Sequence, residues 1–515
     1  MMNGLDSNYE VFIAGSEPLG ATYARQILEY HKSARVLMVE VGAQESPVIG
    51  MNLKNAVKYQ RDLDAFSHII RAAVQPMSIP PASGFIPSFK AMDQDPTLSI
   101  VNRVTQTVGG MATHWTYCCL DPHDDELVQC PIERSTMRKH LQRGRELMNV
   151  PTDEFETSAR RELVKKALTD AYKPRGIAVG SLPLAGERSE DNDTLVEWSG
   201  MDTILGDFIH SKDADGQNRF KLLSECLVVK FETDPDPPGK IKSALVRDLR
   251  TGKEKYIECK VFVAACGTIC THQLRWNSGI RHKALGHYLT GHSNGFCQVV
   301  LRKTLIDQLG SNNQNAKTDP ADHIPILLND LEPQIGILYS PSHPHHTQFH
   351  RDAFSYVTVG SQIDRRVVLD IRYFCMLEVQ ESNHISFFTQ DRFGCPNTDI
   401  YGMPQPTFHF EATAKDDELA QRFDRRTRCI RRDEFSFFCR MMREMCEAAN
   451  VLGSYLPSTP PHFIFRLSRG LQATTRVGND PNTSAADKNS RVRTPAGDTV
   501  YEKLWIGCAG CIPMQ

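Results

Sequence analysis

The apolar positions at the start of the chain follow a strand–helix–strand pattern. The run from Tyr9 to Ala14 predicts a buried strand, and Ala21 to His31 has the spacing of an amphipathic helix. Arg35 to Val41 predicts a second strand, with Glu40 near its end. The tight turn Gly15–Gly20 separates the first strand from the helix. This order predicts a βαβ unit and therefore an α/β protein.

The remaining patterns predict a second unit that is rich in sheet. Helical spacing covers residues 52–74 and 131–172, and strands are predicted at 220–230, 240–248, 255–265 and 504–507. The stretch from about residue 298 to 461 alternates between short strands and few long helices. We therefore predict a discontinuous first domain from residues 1–130, 225–300 and 465–515, and a second domain from residues 131–224 and 301–464.

Composition limits the classes of function. The chain has 515 residues, 40% of them hydrophobic and 23% charged, which is typical of a globular protein with more than one core. A net charge of −3 gives no general attraction to nucleic acid or to acidic membranes. No apolar stretch reaches the roughly twenty residues of a membrane span.

The fifteen cysteines show no disulfide-type spacing, and the first ten residues lack an apolar signal core. Both observations predict a cytoplasmic protein with free thiols. Cys508 and Cys511 form a C-x-x-C pattern after the last predicted strand. Because no second pair accompanies it, a chance occurrence is favoured over a redox or zinc site. The histidines between His343 and His350 are likewise interpreted as a surface loop, so no metal is predicted.

The turn after the first strand is a variant of the dinucleotide fingerprint G-x-G-x-x-G. Gly15, Ser16 and Gly20 would place a pyrophosphate at the helix N-terminus, and Glu40 would accept a hydrogen bond from a ribose hydroxyl. Glu17 replaces the middle glycine, and its charge would repel phosphate unless it pointed to solvent or met a cation. Dinucleotide binding is favoured over a generic α/β start.

The segment Val108–Thr116 carries the most specific chemistry. Gly109 and Gly110 allow the backbone to approach a large flat group, and His114 offers a ring nitrogen as nucleophile or ligand. An isolated histidine of this kind is usually a satisfied core residue. The flanking glycines and the hydroxyl of Thr116 favour a functional site instead.

The segment Val108–Thr116 resembles a stretch of the fungal pyranose 2-oxidases, which belong to the glucose–methanol–choline (GMC) flavin oxidoreductases. Residues 15–25, 341–356 and 401–408 carry the same resemblance. It implies an α/β protein of GMC type, with a Rossmann-like FAD-binding domain and a substrate domain built on a large antiparallel sheet. It also implies FAD as cofactor, with His114 bonded to the flavin 8α-methyl group and Thr116 near flavin N5.

The resemblance further implies the reaction and its partners. The expected substrate is a sugar or sugar-derived secondary alcohol, with dioxygen or a quinone as electron acceptor. Gln348, Asp352, Phe354 and Tyr356 match positions that contact the sugar. The family's assembly implies a homo-oligomer, and its fungal character points to secondary metabolism, with kojic acid formation as one candidate role.

The sequence departs from the family at the residues that accept the proton of the substrate hydroxyl. Gly470 and Thr475 stand where the family has histidines, and its following asparagine has no counterpart. Three interpretations remain open. In the first, the base is relocated to His350, His346 or Asp352, or the enzyme uses no dedicated base. In the second, the protein binds FAD without catalysis and serves as a binding or regulatory protein. In the third, the sequence has decayed. The first is favoured because the flavin and substrate segments are intact.

Overall fold

The structure is a computed structural model. It describes residues 8–62, 65–66, 74–76, 103–128, 130–151, 155–156, 158–192, 195–234, 239–312, 322–327, 330, 334–350, 359, 362–390, 394, 396–411, 413, 440–456, 461–465 and 474–511.

The strands form two large sheets and three small ribbons. In chain order the strands are β1 (Val11–Ala14), β2 (Val36–Val39), β3 (Val74–Pro76), β4 (Arg103–Thr105), β5 (Val179–Ser181), β6 (Gly186–Arg188), β7 (Val196–Trp198), β8 (Phe220–Leu223), β9 (Cys226–Asp234), β10 (Lys240–Asp248), β11 (Glu254–Glu258), β12 (Val261–Ala264), β13 (His292–Leu301), β14 (Ile335–Ile337), β15 (His346–His350), β16 (Val368–Met376), β17 (His384–Phe387), β18 (Pro406–His409), β19 (Gly453–Tyr455), β20 (His462–Phe465), β21 (Arg491–Arg493) and β22 (Val500–Ile506).

The helices of the described residues are α1 (Pro18–Tyr30), α2 (Val57–Arg61), α3 (Arg134–Leu147), α4 (Ala159–Tyr172), α5 (Met201–Leu205), α6 (Gly267–Asn277), α7 (Lys303–Asn312) and α8 (Arg440–Leu452). Within that part of the chain, none of them is long and apolar enough to cross a membrane.

The first sheet has a parallel centre. Its strand order is β11-β10-β22-β12-β1-β2-β8, with β9 added to β10 and β21 to β22. Phe12 in β1 lies opposite Phe262 in β12 and Leu37 in β2. All four residues of β1 are buried, as expected for a strand covered on both faces. The carboxyl ends of β1, β12 and β22 therefore lie side by side, and the turn that begins at Gly15 follows β1 directly.

The second sheet is antiparallel and has two different faces. Its order is β19-β13-β16-β15-β14-β5, with β20 added to β13. On one face Phe349, Ile371 and Tyr373 pack with residues of α4 and α8 to form the largest core cluster. The opposite face carries buried polar side chains, which are described with the site below.

Several predicted boundaries differ from the observed elements. The predicted strand 220–230 is two strands, because the chain breaks at Glu225, whose φ is +51°. The predicted helix 52–74 is present only as a 3₁₀ turn at Leu53–Asn55 and the short α2 among the described residues. β8 pairs with β2 in the first sheet, whereas β13 belongs to the second. β8 was predicted to belong to the second domain, which was expected to extend to residue 224. β13 was predicted to belong to the first domain, which was expected to extend to residue 300. Sheet membership thus differs from both predicted boundaries.

Candidate functional site

The fingerprint turn packs without room for larger side chains. Gly15 has φ +100°, and a Cβ there would lie 2.1 Å from the carbonyl oxygen of Ala265. A Cβ at Gly20 would lie 2.4 Å from the carbonyl oxygen of Gly15. Both glycines are therefore required for the close contact between β1, α1 and the end of β12. No side chain caps the N-terminus of α1. Its first residue, Pro18, has no N–H, so the N–H groups of Leu19 and Gly20 are the ones that an anion could meet there.

Ser16 connects three segments that the sequence predicted to bind the cofactor. Its backbone N–H and its hydroxyl both donate to Glu40 Oε2, at 3.0 and 2.7 Å. The hydroxyl oxygen also accepts the N–H of Gly109 at 2.9 Å. Gly42 N–H donates to Glu40 Oε1 at 3.0 Å. The structure thus joins the fingerprint turn, the end of β2 and the glycine pair before His114.

A cavity lies at this junction. Gly15, Glu17, Glu40, Thr105 and Tyr401 are among the residues that line it. Burial raises the pKa of Glu40, although the hydrogen bonds from Ser16 and Gly42 oppose this rise. Glu40 borders the cavity, and the predicted bond from Glu40 to a ribose stays a prediction.

Glu17 points inward, not to solvent. Its Cγ lies 2.5 Å from the position of a Cβ on Gly110, and its Oε1 lies 2.9 Å from that of a Cβ on Gly267. The Glu17 side chain thus occupies the space that side chains at Gly110 and Gly267 would otherwise fill. Burial, with smaller contributions from Cys508 and Glu40, raises the pKa of Glu17 to about 8. A neutral carboxyl group at pH 7 does not repel a phosphate, and it can donate a hydrogen bond.

His114 is buried, and its ring is held by two threonines. Nδ1 lies 2.9 Å from Thr113 Oγ1, and Nε2 lies 3.3 Å from Thr105 Oγ1. The Thr113 hydroxyl donates to the carbonyl oxygen of Gly110 at 2.8 Å, so its single hydrogen is already used. It can therefore only accept from His114, which places the proton of a neutral ring on Nδ1. Nε2 then carries a lone pair and points toward Thr105, which lines the cavity.

The residues after His114 lead to the second sheet. Thr116 is half-buried, and Trp115 before it donates its indole N–H to the carbonyl oxygen of Ser199. Burial raises the pKa of the Cys118 thiol to about 12, even though the Gln348 side chain hydrogen-bonds to it. Gln348, which was predicted to contact substrate, therefore lies next to the His114 segment.

Gln348 and His350 lie on the buried polar face of the second sheet. Gln348 is opposite Arg372, which in turn is opposite Phe296, whose ring lies 5.5 Å from the Arg372 guanidinium carbon. His350 is fully buried and is opposite Asp370. These alternate positions form a wall of polar side chains, while the residues between them face the core.

Two hydrogen bonds tie the row around His350 together. Gln298 Nε2 donates to Asp370 Oδ1 at 2.8 Å, and Gln334 Nε2 lies 3.5 Å from His350 Nδ1. His350 is therefore part of a buried polar network, with a carboxylate one strand away. This environment can hold a proton without exposing it to solvent.

Two polar residues near this wall, Glu126 and His292, were not identified from the sequence. His346 Nε2 lies 2.8 Å from Glu126 Oε1. Burial opposes ionisation of Glu126, but the hydrogen bonds and charges of His346 and His123 together outweigh it and lower the pKa of the carboxyl group. Burial, together with the charge of His346, lowers the pKa of His292 to about 4. Glu126 belongs to an acidic run typical of an exposed turn, so no pattern in the sequence points to its contact with His346.

The interpretation of the histidine cluster as a surface loop is wrong. His343 and His345 are fully buried, and His346–His350 forms β15. Nε2 of His343 lies 3.2 Å from Glu444 Oε2, and burial lowers the pKa of His343 to about 4. No group of three or more potential metal ligands occurs in the described part of the chain.

Several predicted residues lie outside the described residues. These are Asp352, Phe354 and Tyr356 of the predicted substrate segment, and Gly470 at the family's histidine position. Thr475, at the second such position, is buried beside Cys508 and Cys511.

Comparison with solved structures gives the fold. A formate oxidase of Aspergillus oryzae RIB40, whose structure concerns FAD modification, matches with a TM-score of 0.62 at 12% identity, over 98% of this chain and 94% of that one. A pyridoxine 4-oxidase from Mesorbium loti matches with a TM-score of 0.59 at 12% identity, over 98% and 95%. The chain therefore has the fold of these oxidases.

Curated relatives give the family, although no family model matches the chain. A pyranose 2-oxidase of Tricholoma matsutake is 37% identical over 98% of this chain and 89% of its own length. One of Emericella nidulans is 34% identical over 88% and 79%, and a C-glycoside 3-oxidase of Microbacterium trichothecenolyticum is 28% identical over 98% and 92%. The chain belongs to the pyranose 2-oxidase family. It is an oxidoreductase that acts on CH–OH groups.

Proposed function

We propose that this protein oxidises a secondary alcohol of a sugar or sugar-derived compound, using FAD attached covalently to His114. The observation that carries the proposal is the fixed orientation of the His114 ring. With the proton of the neutral ring on Nδ1, Nε2 is the unprotonated nitrogen, and it points toward Thr105, a residue that lines the cavity. A nitrogen nucleophile held this way is suited to bond a flavin methyl carbon.

The residues around the turn fit the rest of the cofactor. The N-terminus of α1, with Gly15, Ser16 and Gly20, would hold the pyrophosphate, and Glu40 the ribose. Gly109 and Gly110 have φ of +94° and +54°, a backbone conformation that favours glycine and forms the tight turn before His114. When bound, FAD supplies hydride acceptance from the substrate carbon.

The polar wall of the second sheet would bind and orient the substrate. Gln348 and Arg372 offer hydrogen-bond donors to hydroxyl groups, and Phe296 presents an apolar face to the same row. Thr116, two residues after His114, would contribute its hydroxyl near the reacting atoms. Asp352, Phe354 and Tyr356 complete the proposed sugar site.

His350 is the proposed proton acceptor in place of the histidine that Gly470 replaces. Its place opposite Asp370 would favour uptake of the hydroxyl proton, since the carboxylate stabilises the charged ring, whereas burial alone opposes that charge. Asp352 is the second proposed base. His346 is less suited, because Glu126 already occupies its Nε2.

We further propose that dioxygen accepts the electrons and is released as hydrogen peroxide, with a quinone as the alternative acceptor. The relatives that match are named oxidases, which supports dioxygen. A cytoplasmic homo-oligomer acting in fungal secondary metabolism, with kojic acid formation as the candidate pathway, completes the proposal.

One experiment tests the attachment and the activity together. Purified protein is precipitated with acid and washed, and flavin absorbance is measured in the pellet. A yellow pellet that disappears in His114→Ala supports the covalent bond, and yellow pellets from both proteins overturn it. Anaerobic mixing with a panel of sugars and keto-sugars should bleach the flavin, and air should then yield peroxide.

The alternative function is a flavin-binding protein without catalysis. The glycine at position 470 and the threonine at 475 favour it, because neither can accept a proton near neutral pH. It predicts bound flavin that no sugar reduces, whereas chemical reductants still bleach it.

A further inference from the structure

Cys508 and Cys511 are close enough to bond after a small rotation. They bracket a single turn at the end of β22, in which the N–H of Cys511 donates to the carbonyl oxygen of Cys508 at 2.9 Å. The two sulfur atoms are 3.8 Å apart. A turn of this kind brings the Cα atoms within about 7 Å, the upper limit for a disulfide. The pair is therefore a dithiol that can close without moving the strand.

The pair has a polar environment that an accidental C-x-x-C would not require. Thr475 Oγ1 lies 3.3 Å from the sulfur of Cys508 and 3.7 Å from that of Cys511. Hydrogen bonds from Cys511, and then from Thr475 and Thr271, outweigh the effect of burial and lower the pKa of Cys508 to about 7. Cys508 is thus the sulfur that ionises first.

A buried cation next to the pair favours a negative sulfur. Arg275 in α6 is fully buried, and its Nε and Nη1 have no hydrogen-bond partner among the described residues. Burial lowers the pKa of Arg275 to about 10, while Cys511, Tyr501 and Cys508 oppose that effect through their charge. A buried guanidinium requires a compensating anion, and a Cys508 thiolate provides one.

We propose that Cys508 and Cys511 form a second redox site, which hydrogen peroxide oxidises to a disulfide. The Cys508 thiolate attacks one peroxide oxygen and becomes a sulfenic acid, releasing hydroxide. The Cys511 thiol then displaces the sulfenic oxygen, which leaves as water once protonated. In total, two thiols and one peroxide give one disulfide and two waters.

The burial of Cys508 selects the oxidant. Cys508 is only 1% exposed, so a cysteine of another protein cannot reach its sulfur, whereas peroxide is hardly larger than water. The physiological source of peroxide rests on the proposed oxidase function. The site itself does not, because added peroxide tests it directly.

The test uses the full-length flavoprotein treated with hydrogen peroxide, alkylated, and digested with trypsin. Both cysteines fall in one peptide, Leu504–Gln515, because Lys503 is the last basic residue of the chain. We expect this peptide to lose both alkylation sites and to have a mass about 2 Da below that of the reduced form. Dithiothreitol should restore alkylation.

Single substitutions distinguish the cysteine that attacks peroxide from the cysteine that closes the disulfide. Cys511→Ser should stop at the Cys508 sulfenic acid, which dimedone traps, and Cys508→Ser should leave Cys511 alkylatable. The internal control is the Cys118–Cys119 pair, whose thiols have a pKa of about 12 and should react at least about tenfold more slowly. Bound flavin reports folding in every variant.

Two outcomes overturn the proposal. One is a Leu504–Gln515 peptide that stays fully alkylated at peroxide doses that oxidise Cys118. The other is sulfenic acid that dimedone traps on Cys511 and not on Cys508. Neither outcome depends on whether a sugar reduces the flavin, so this proposal and the proposed function fail separately.

Discussion

The hydroxyl of Thr113 lies 2.9 Å from Nδ1 of His114 and holds the proton of the neutral ring on that nitrogen, so that Nε2 is the unprotonated one. The geometry follows from the 3₁₀ turn at Gly110–Thr113, which brings the carbonyl oxygen of Gly110 to the same hydroxyl. A residue next to the predicted nucleophile in sequence thus sets its tautomer.

We expect Thr113→Val to slow covalent flavin attachment, because the ring loses the acceptor that keeps its proton on Nδ1. The loss of one buried hydrogen bond, about 1 kcal/mol, corresponds to a rate about fivefold lower. The fraction of flavin that survives acid precipitation, followed over time with added FAD, measures the rate. Thr113→Ser keeps the hydroxyl and should behave like the wild type. Equal rates in all three proteins would contradict the tautomer argument.

Glu40 should matter for stability as well as for the cofactor. Glu40→Ala leaves the N–H and hydroxyl of Ser16 and the N–H of Gly42 without their acceptor. We expect a loss of about 1–3 kcal/mol in the free energy of unfolding, measured with urea, together with reduced flavin content. Glu40→Gln retains one oxygen acceptor and should lose less. A Glu40→Ala protein as stable as the wild type would show that the network is not needed for folding.

Flavin affinity should depend on the ionisation of Glu17. The pKa of Glu17 in the folded protein, about 8, lies above its ordinary value of 4.5, so the folded state retains the proton. The contribution of Glu17 to stability is therefore greatest below pH 4.5 and declines as the pH rises from there to about 8. Above pH 8, an ionised carboxylate would repel the pyrophosphate at the predicted site.

The measurement uses His114→Ala, in which flavin binding is reversible. We expect its dissociation constant for FAD to rise roughly tenfold from about pH 6 to about pH 9, the effect of roughly 1.4 kcal/mol of repulsion. Adding Glu17→Gln should flatten this pH profile. A profile that Glu17→Gln leaves unchanged would show that another group titrates.

The proposed base can be identified by comparing two histidines on the same strand. His350→Gln should slow anaerobic flavin reduction by about a hundredfold or more, the usual contribution of a general base. His346→Gln should have a smaller effect, since its Nε2 is bound to Glu126. Stopped-flow absorbance gives both rates, and its pH profile should lose one titration in His350→Gln. A larger loss in His346→Gln would transfer the role to His346.

The sequence predicted the elements whose pattern is local. The β1–α1–β2 unit and its glycines could be predicted because apolar spacing and turn residues specify them directly. Spacing also predicted a sheet-rich second unit, whereas its antiparallel arrangement was expected only from the resemblance to the family. The direction of Glu17 could not, because the space it fills is left by Gly110 and Gly267, far away in sequence. The polar residues of β15 looked like an exposed loop, since nothing in a polar alternation shows that a second layer covers it.

The side chains of β15 alternate between the core face and the polar face of the sheet, so that stability and ligand binding depend on different residues of one strand. Phe349 anchors the strand in the core, while Gln348 and His350 on either side of it lie on the opposite, polar face of the sheet, where the substrate is proposed to bind. Exchanges at the ligand-facing positions can therefore alter which molecule is accepted at little cost to the core. Such an arrangement allows one scaffold to diversify its chemistry, and it makes these two positions the first choice for redirecting specificity.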